Sequence, residues 1–178
     1  MSTDQFFWVL ARVGGLSSYA ALAIALVTGI ALRTAVFDWL GSNRVVRSLH
    51  EYTTVLWIPL ALVHLVALLL DNTARIGVLD LVVPFHSSYG TLAIGLGALS
   101  VDLLIVVTIT AYLKRRMTKE LWLWVHRLTY VAFGLIFLHA VLSGTDFSDP
   151  VVSAITWGSA AALLTLALAR VLGGRLPA

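Results

Sequence analysis

Cysteine is absent from the 178-residue chain. That excludes disulfides, thiolate metal sites, iron–sulfur clusters and covalently attached c-type haem. Charge is scarce too: Asp, Glu, Lys and Arg make up 12% of residues, against roughly 25% in a soluble domain. What fills the chain instead is apolar. The residues AVILMFWYC account for 60% of it, and the mean hydropathy is +0.94. A water-soluble globule, a disordered chain and a secreted disulfide scaffold are all excluded by this balance. The length suits one domain covering 1–178. The net charge of +3 is not a nucleic-acid signal, because the basic residues gather at the ends of apolar runs and form no single face.

Crossing a hydrocarbon core of about 30 Å takes about 20 mostly apolar residues. Five segments meet that requirement, at about 7–32, 49–70, 89–113, 121–143 and 151–172. The expected fold is therefore an all-α integral membrane bundle, multi-pass in a cell membrane and in contact with lipid. The first span is too long for a removable signal peptide and lacks its basic start and cleavage motif. Arg33, Arg44 and Arg47 lie in the first loop, Lys114, Arg115, Arg116 and Lys119 in the third, and Arg170 and Arg175 at the C-terminal end. The second loop has only Arg75 beside Asp71 and Asp80, and the fourth has Asp146 and Asp149 with no cation. The positive-inside rule then places the C-terminus in the cytoplasm and the N-terminus outside. The second loop, Asn72 to Ser88, carries apolar Ile76, Val78, Leu79, Leu81, Val82, Val83 and Phe85 and is too short to span. It is expected to form a short interfacial helix ended by Pro84, or a cover over a pocket.

Four of the five histidines fall inside spans, His50 and His64 on the second, His126 and His139 on the fourth. Ionisable side chains in a membrane are rare and mark sites. The second and fourth spans cross in the same direction. His64 follows His50 by 14 residues and His139 follows His126 by 13, steps of about 21 and 20 Å along a helix. The histidines thus pair by depth, His50 with His126 and His64 with His139. Two imidazoles facing each other supply the axial ligands of a six-coordinate b-type haem, so two stacked haems are expected, with these four residues as iron ligands. Trp57 and Phe133 lie halfway between the ligands and are candidates to fill the gap between the haems. At about 100° per residue, 14 steps return to within about 40° of one face, whereas 13 steps miss it by about 140°. The fourth span is therefore expected to be distorted near Gly134, or to present its histidines to different sides. The rival reading is a His-lined metal or proton transporter.

The residues LHEYTTVLWIPLALVHLVALLLD (49–71) and LWLWVHRLTYVAFGLIFLHAVLSGTD (121–146) resemble the ferric reductase-like transmembrane domain. That superfamily includes NADPH oxidases, ferric reductases and the haem-binding subunit of the bacterial methionine sulfoxide reductase system. The segment ARIGVLDLVVPFHSSYG (74–90) resembles the matching loop of small bacterial members. The resemblance implies that His50, His64, His126 and His139 occupy the family's four ligand positions. It departs from the oxidases in lacking their first span. No GxGxxG loop occurs, and no flavin or nicotinamide domain is expected after the fifth span. Electrons must then come from a separate cytoplasmic-side donor, such as a flavoprotein, a quinol or a non-covalently bound flavin.

Haem propionates need cations. Arg44, Arg47 and Arg127 flank the inner pair, and Arg12 is the candidate for the outer haem, its alternative role being an interfacial anchor. His86 belongs to the outer loop, and Asp102 lies in mid-span. Gly158, Ser159, Ala161 and Ala162 make the fifth span suited to packing on the bundle or on a partner subunit. The expected function is electron transfer from the cytoplasmic-side donor to an outer acceptor: ferric iron, dioxygen or a redox protein. The alternative is a cytochrome b subunit of a larger quinol-linked complex.

Overall fold

A computed structural model describes residues 2–34, 42–73 and 75–172. Among the described residues the fold is all-α. Six α-helices follow one another as α1 (Thr3–Ala31), α2 (Asn43–Leu70), α3 (Val78–Val82), α4 (Thr91–Tyr112), α5 (Lys119–Ser143) and α6 (Pro150–Leu172). Five of them, all but α3, are long and apolar enough to cross a membrane, which makes this a multi-pass membrane protein. The spans expected from hydropathy are present. α1 and α2 begin earlier than their apolar cores, so that Arg44 and Arg47 sit on helical turns rather than in a loop. Arg175 lies outside the described residues, as does the side chain of Arg170.

The chain divides into two compact units, one of residues 1–11 and 65–144, the other of 12–64 and 145–178. In the first, α4 and α5 form a hairpin closed by a 3-10 turn at Leu113–Arg116. Thr118 caps α5 by accepting a hydrogen bond from the Leu121 N–H at 3.3 Å. Small buried residues, Ala93, Ala98 and Ser100 on α4 and Ala132 on α5, keep bulk out of the helix contacts. α5 is α-helical throughout Lys119–Ser143, with no break at Gly134. The angular mismatch between His126 and His139 is thus carried by two different faces of one helix.

In the second unit α1 runs antiparallel to α2. Ser18 Oγ donates to the Trp57 carbonyl, His50 meets the Ala25 carbonyl, and Gly14 lies against the backbone of His64. Numbers rise along α1 as they fall along α2. α6 joins α1 through Tyr19 and Ser159, whose hydroxyls are 3.1 Å apart. Thr156 and Leu163 are its buried residues, while Gly158, Ala161 and Ala162 are exposed.

The loop before α4 forms the expected short helix, with Val83 as its C-cap and Pro84 next. Val78, Leu79 and Val82 are exposed on it. One carboxylate organises the segment. Asp80 Oδ2 accepts from the Gly77 N–H and Oδ1 meets His86 Nδ1, both at 2.8 Å. The Gly77 N–H first, and then His86, hold the Asp80 carboxyl below the usual carboxylate range. A lowered folded-state pKa means that the clip is intact above the ordinary carboxylate pKa and is lost as pH falls through the lowered one. We predict that Asp80→Ala speeds amide hydrogen exchange at Gly77 and abolishes this acid dependence, whereas unchanged exchange would show that the clip does not order the loop.

Candidate haem-ligand site

Each of the four span histidines is half-buried. His50, on α2, is oriented by α1. Its Nδ1 lies 2.9 Å from the Ala25 carbonyl oxygen and 3.4 Å from Thr28 Oγ1. A carbonyl oxygen only accepts, so Nδ1 carries the proton and donates. The Thr28 hydroxyl donates to the Ile24 carbonyl at 2.7 Å, which leaves its oxygen as an acceptor towards His50. The coordinating lone pair of His50 is therefore on Nε2. His139, on α5, is held in the same way by α4, with Nδ1 donating to the Ala93 carbonyl at 2.7 Å. Metal-bound histidines are typically fixed by such a bond from the second ring nitrogen.

Glycines make room for three of the four rings. A Cβ on Gly29 would lie 3.1 Å from His50 Cε1, one on Gly15 would lie 3.0 Å from His64 Nδ1, and one on Gly97 would lie 2.8 Å from His139 Nδ1. Gly14 lets the backbones themselves approach, since its Cβ would meet the His64 backbone nitrogen at 3.0 Å. Gly15 and Gly29 are 14 residues apart on α1, which is the spacing of His50 and His64 on the antiparallel α2. The sequence reading missed this match, although both glycines were visible in it. His126 is treated differently: the indole of Trp122, one helical turn earlier, stacks on it at 5.0 Å between centroids and 17° between planes.

Trp57 and Phe133 are both buried in their units. Arg127, beside His126, is exposed and sits 5.5 Å from the centre of the Trp124 ring. Arg47 is exposed on α2, three residues before His50. Arg12 is half-buried and forms an ion pair with Asp146, its Nε donating to Oδ2 at 2.8 Å. These partners are 134 residues apart in the chain, and the sequence reading did not pair them. His86 has a partner in Asp80 of the loop before α4. Asp102 is half-buried in α4.

The model of the family described as ferric reductase like transmembrane component matches residues 14–137. The chain belongs to the ferric reductase-like transmembrane family. The matched residues take in His50, His64 and His126 and end two positions before His139. No curated protein and no solved structure matches the chain. Membership of the ferric reductase-like family points to electron transfer across a membrane and to haem as the group that carries it. The residues present fit such a group. Two imidazoles are locked with Nε2 as the basic nitrogen, and three rings are bedded on glycine. The Trp122 Nε1 beside His126 is buried with no hydrogen-bond partner among the described residues, and an orphaned donor of this kind commonly marks a functional or ligand-lined place.

The glycine beds give a direct test. We predict that Gly97→Val destabilises the protein by about 1–3 kcal/mol, because the added atoms overpack the His139 ring and strain its bond to Ala93. Gly134→Ala, where a Cβ meets nothing within 4 Å, should be neutral or stabilising by up to about 1 kcal/mol, from the gain in helix propensity. Unfolding in detergent measures both, and equal effects would remove the special role of Gly97.

Proposed function

We propose that the chain moves single electrons across the membrane on two b-type haems, an inner one that His50 and His126 would hold and an outer one that His64 and His139 would hold. One observation carries this reading. The bonds from His50 to Ala25 and from His139 to Ala93 fix the tautomer that presents Nε2 for coordination. Bound haem supplies a ferric/ferrous couple, and the apolar helices around it exclude water and set its potential.

The protein's own residues then have separable tasks. The histidines hold iron, and the backbone carbonyls and Gly15, Gly29 and Gly97 hold the histidines. Arg47 and Arg127 lie on the helices that carry the inner ligands and are assigned to inner propionates. Arg12 meets Asp146 through Nε and Nη2, and it is assigned to an outer propionate as the cation near the start of α1. Trp57 and Phe133 are assigned to the space between the haems. The distribution of basic residues supports a cytoplasmic C-terminus. Electrons enter there from a separate donor, a flavoprotein, quinol or non-covalent flavin, and leave outside to ferric iron, dioxygen or a partner redox protein. A His-lined metal or proton pathway is the rival reading, and a colourless purified protein is its signature. A cytochrome b subunit would use the same haem sites, and a stoichiometric partner after purification is its signature.

Single-ligand variants test the pairing. His64→Ala and His139→Ala should each remove one haem per chain and retain the other. They should remove the same haem, leaving matching residual spectra. Retention of both haems in either variant would break the proposed ligand set.

A further inference from the structure

The end of α5 nearest the 3-10 turn carries a stack of side chains built on Trp122. Lys114 Nζ, from the 3-10 turn, lies over the Trp122 ring at 4.1 Å from its centroid. The imidazole of His126 is stacked on the same indole. Lys114 is exposed, whereas Trp122 and His126 are half-buried. The Trp122 N–H has no partner among the described residues, so ring contacts, not hydrogen bonding, orient the indole. A cation close to an indole face interacts by about 0.5–2 kcal/mol, according to how far it is desolvated. A near-parallel neighbour one turn away restricts the rotation of the imidazole about its Cβ–Cγ bond.

We propose that Trp122 is the positioning residue of His126 and that Lys114, seated on Trp122, raises the midpoint potential of the inner haem. The inference rests on the reading of His126 as an iron ligand. Indole stacking does for His126 what a carbonyl bond does for His50 and His139: it fixes the plane of the ring. The charge acts electrostatically. Reduction adds one electron, and a nearby cation favours the state that holds it. The basic turn thereby makes the inner site the better acceptor for electrons arriving from the cytoplasmic side.

The test uses the full-length protein in detergent, with redox titration followed by visible absorbance and paramagnetic resonance of the ferric form. Lys114→Met should keep both haems and lower the midpoint potential of one, and Lys114→Arg should restore it. Trp122→Ala should lower the same potential and shift the low-spin resonance of one haem, while Trp122→Phe should keep the resonance near its original position. The double variant Lys114→Met/Trp122→Ala should have a potential no lower than Trp122→Ala alone, because the charge acts through its seat on the indole. Unchanged potentials and resonances in Lys114→Met and Trp122→Ala would overturn the inference and leave the haem reading intact. So would additive effects in the double variant, or loss of haem without a change in the potentials that remain. A wild-type protein without haem would instead remove the reading of His126 on which the inference stands. Lys114→Met changes only an exposed side chain, so a Trp122 variant that fails to fold still leaves the electrostatic half measurable.

Discussion

An imidazole coordinates iron only through a nitrogen that carries no proton, and in this chain a neighbouring helix decides which nitrogen that is. The Ala25 carbonyl takes the Nδ1 proton of His50, and the Ala93 carbonyl takes that of His139. Both bonds require close packing, α1 on α2 in one unit and α4 on α5 in the other. Close packing in turn requires small residues at the points of contact. Gly29 and Gly97 lie against the two rings that make these bonds, and Gly15 lies against that of His64. The order of dependence runs from glycine, to helix approach, to carbonyl bond, to tautomer.

Charge is used sparingly and locally. The Arg12–Asp146 pair ties the start of α1 in the second unit to the 3-10 turn before α6. The Asp80–His86 pair clips the short outer loop. Lys114 lies on an indole and keeps its charge near His126. In a medium where an isolated charge is costly, each of these groups has a stated partner or a place at a helix end.

Much of this was legible in the amino-acid order. Hydropathy located the five spans, because a membrane helix must be apolar over its whole length and that leaves a long, unambiguous signal. The four histidines stood out because ionisable groups are rare in such a background. The 13-residue step left two outcomes for α5, a distortion near Gly134 or two different faces, and only the unbroken helix decides for the second. Less visible were contacts that join distant segments. Arg12 and Asp146 were each read alone, although both fall at the same end of their spans in the topology set by the charges. The Gly15–Gly29 spacing equals that of His50 and His64, but its meaning depends on α1 and α2 being antiparallel and in register. Trp122 lies at the i, i+4 spacing from His126, a stacking distance on any helix. That Lys114 also lies over the indole depends on the fold of the 3-10 turn.

The central claim is that these imidazoles grip iron porphyrin, and the haem content of the purified chain tests it most directly. A pyridine haemochrome assay with a reduced-minus-oxidised spectrum should give two b-type haems per polypeptide, both low-spin. A colourless protein, or one whose pigment survives replacement of all four histidines, would contradict the account.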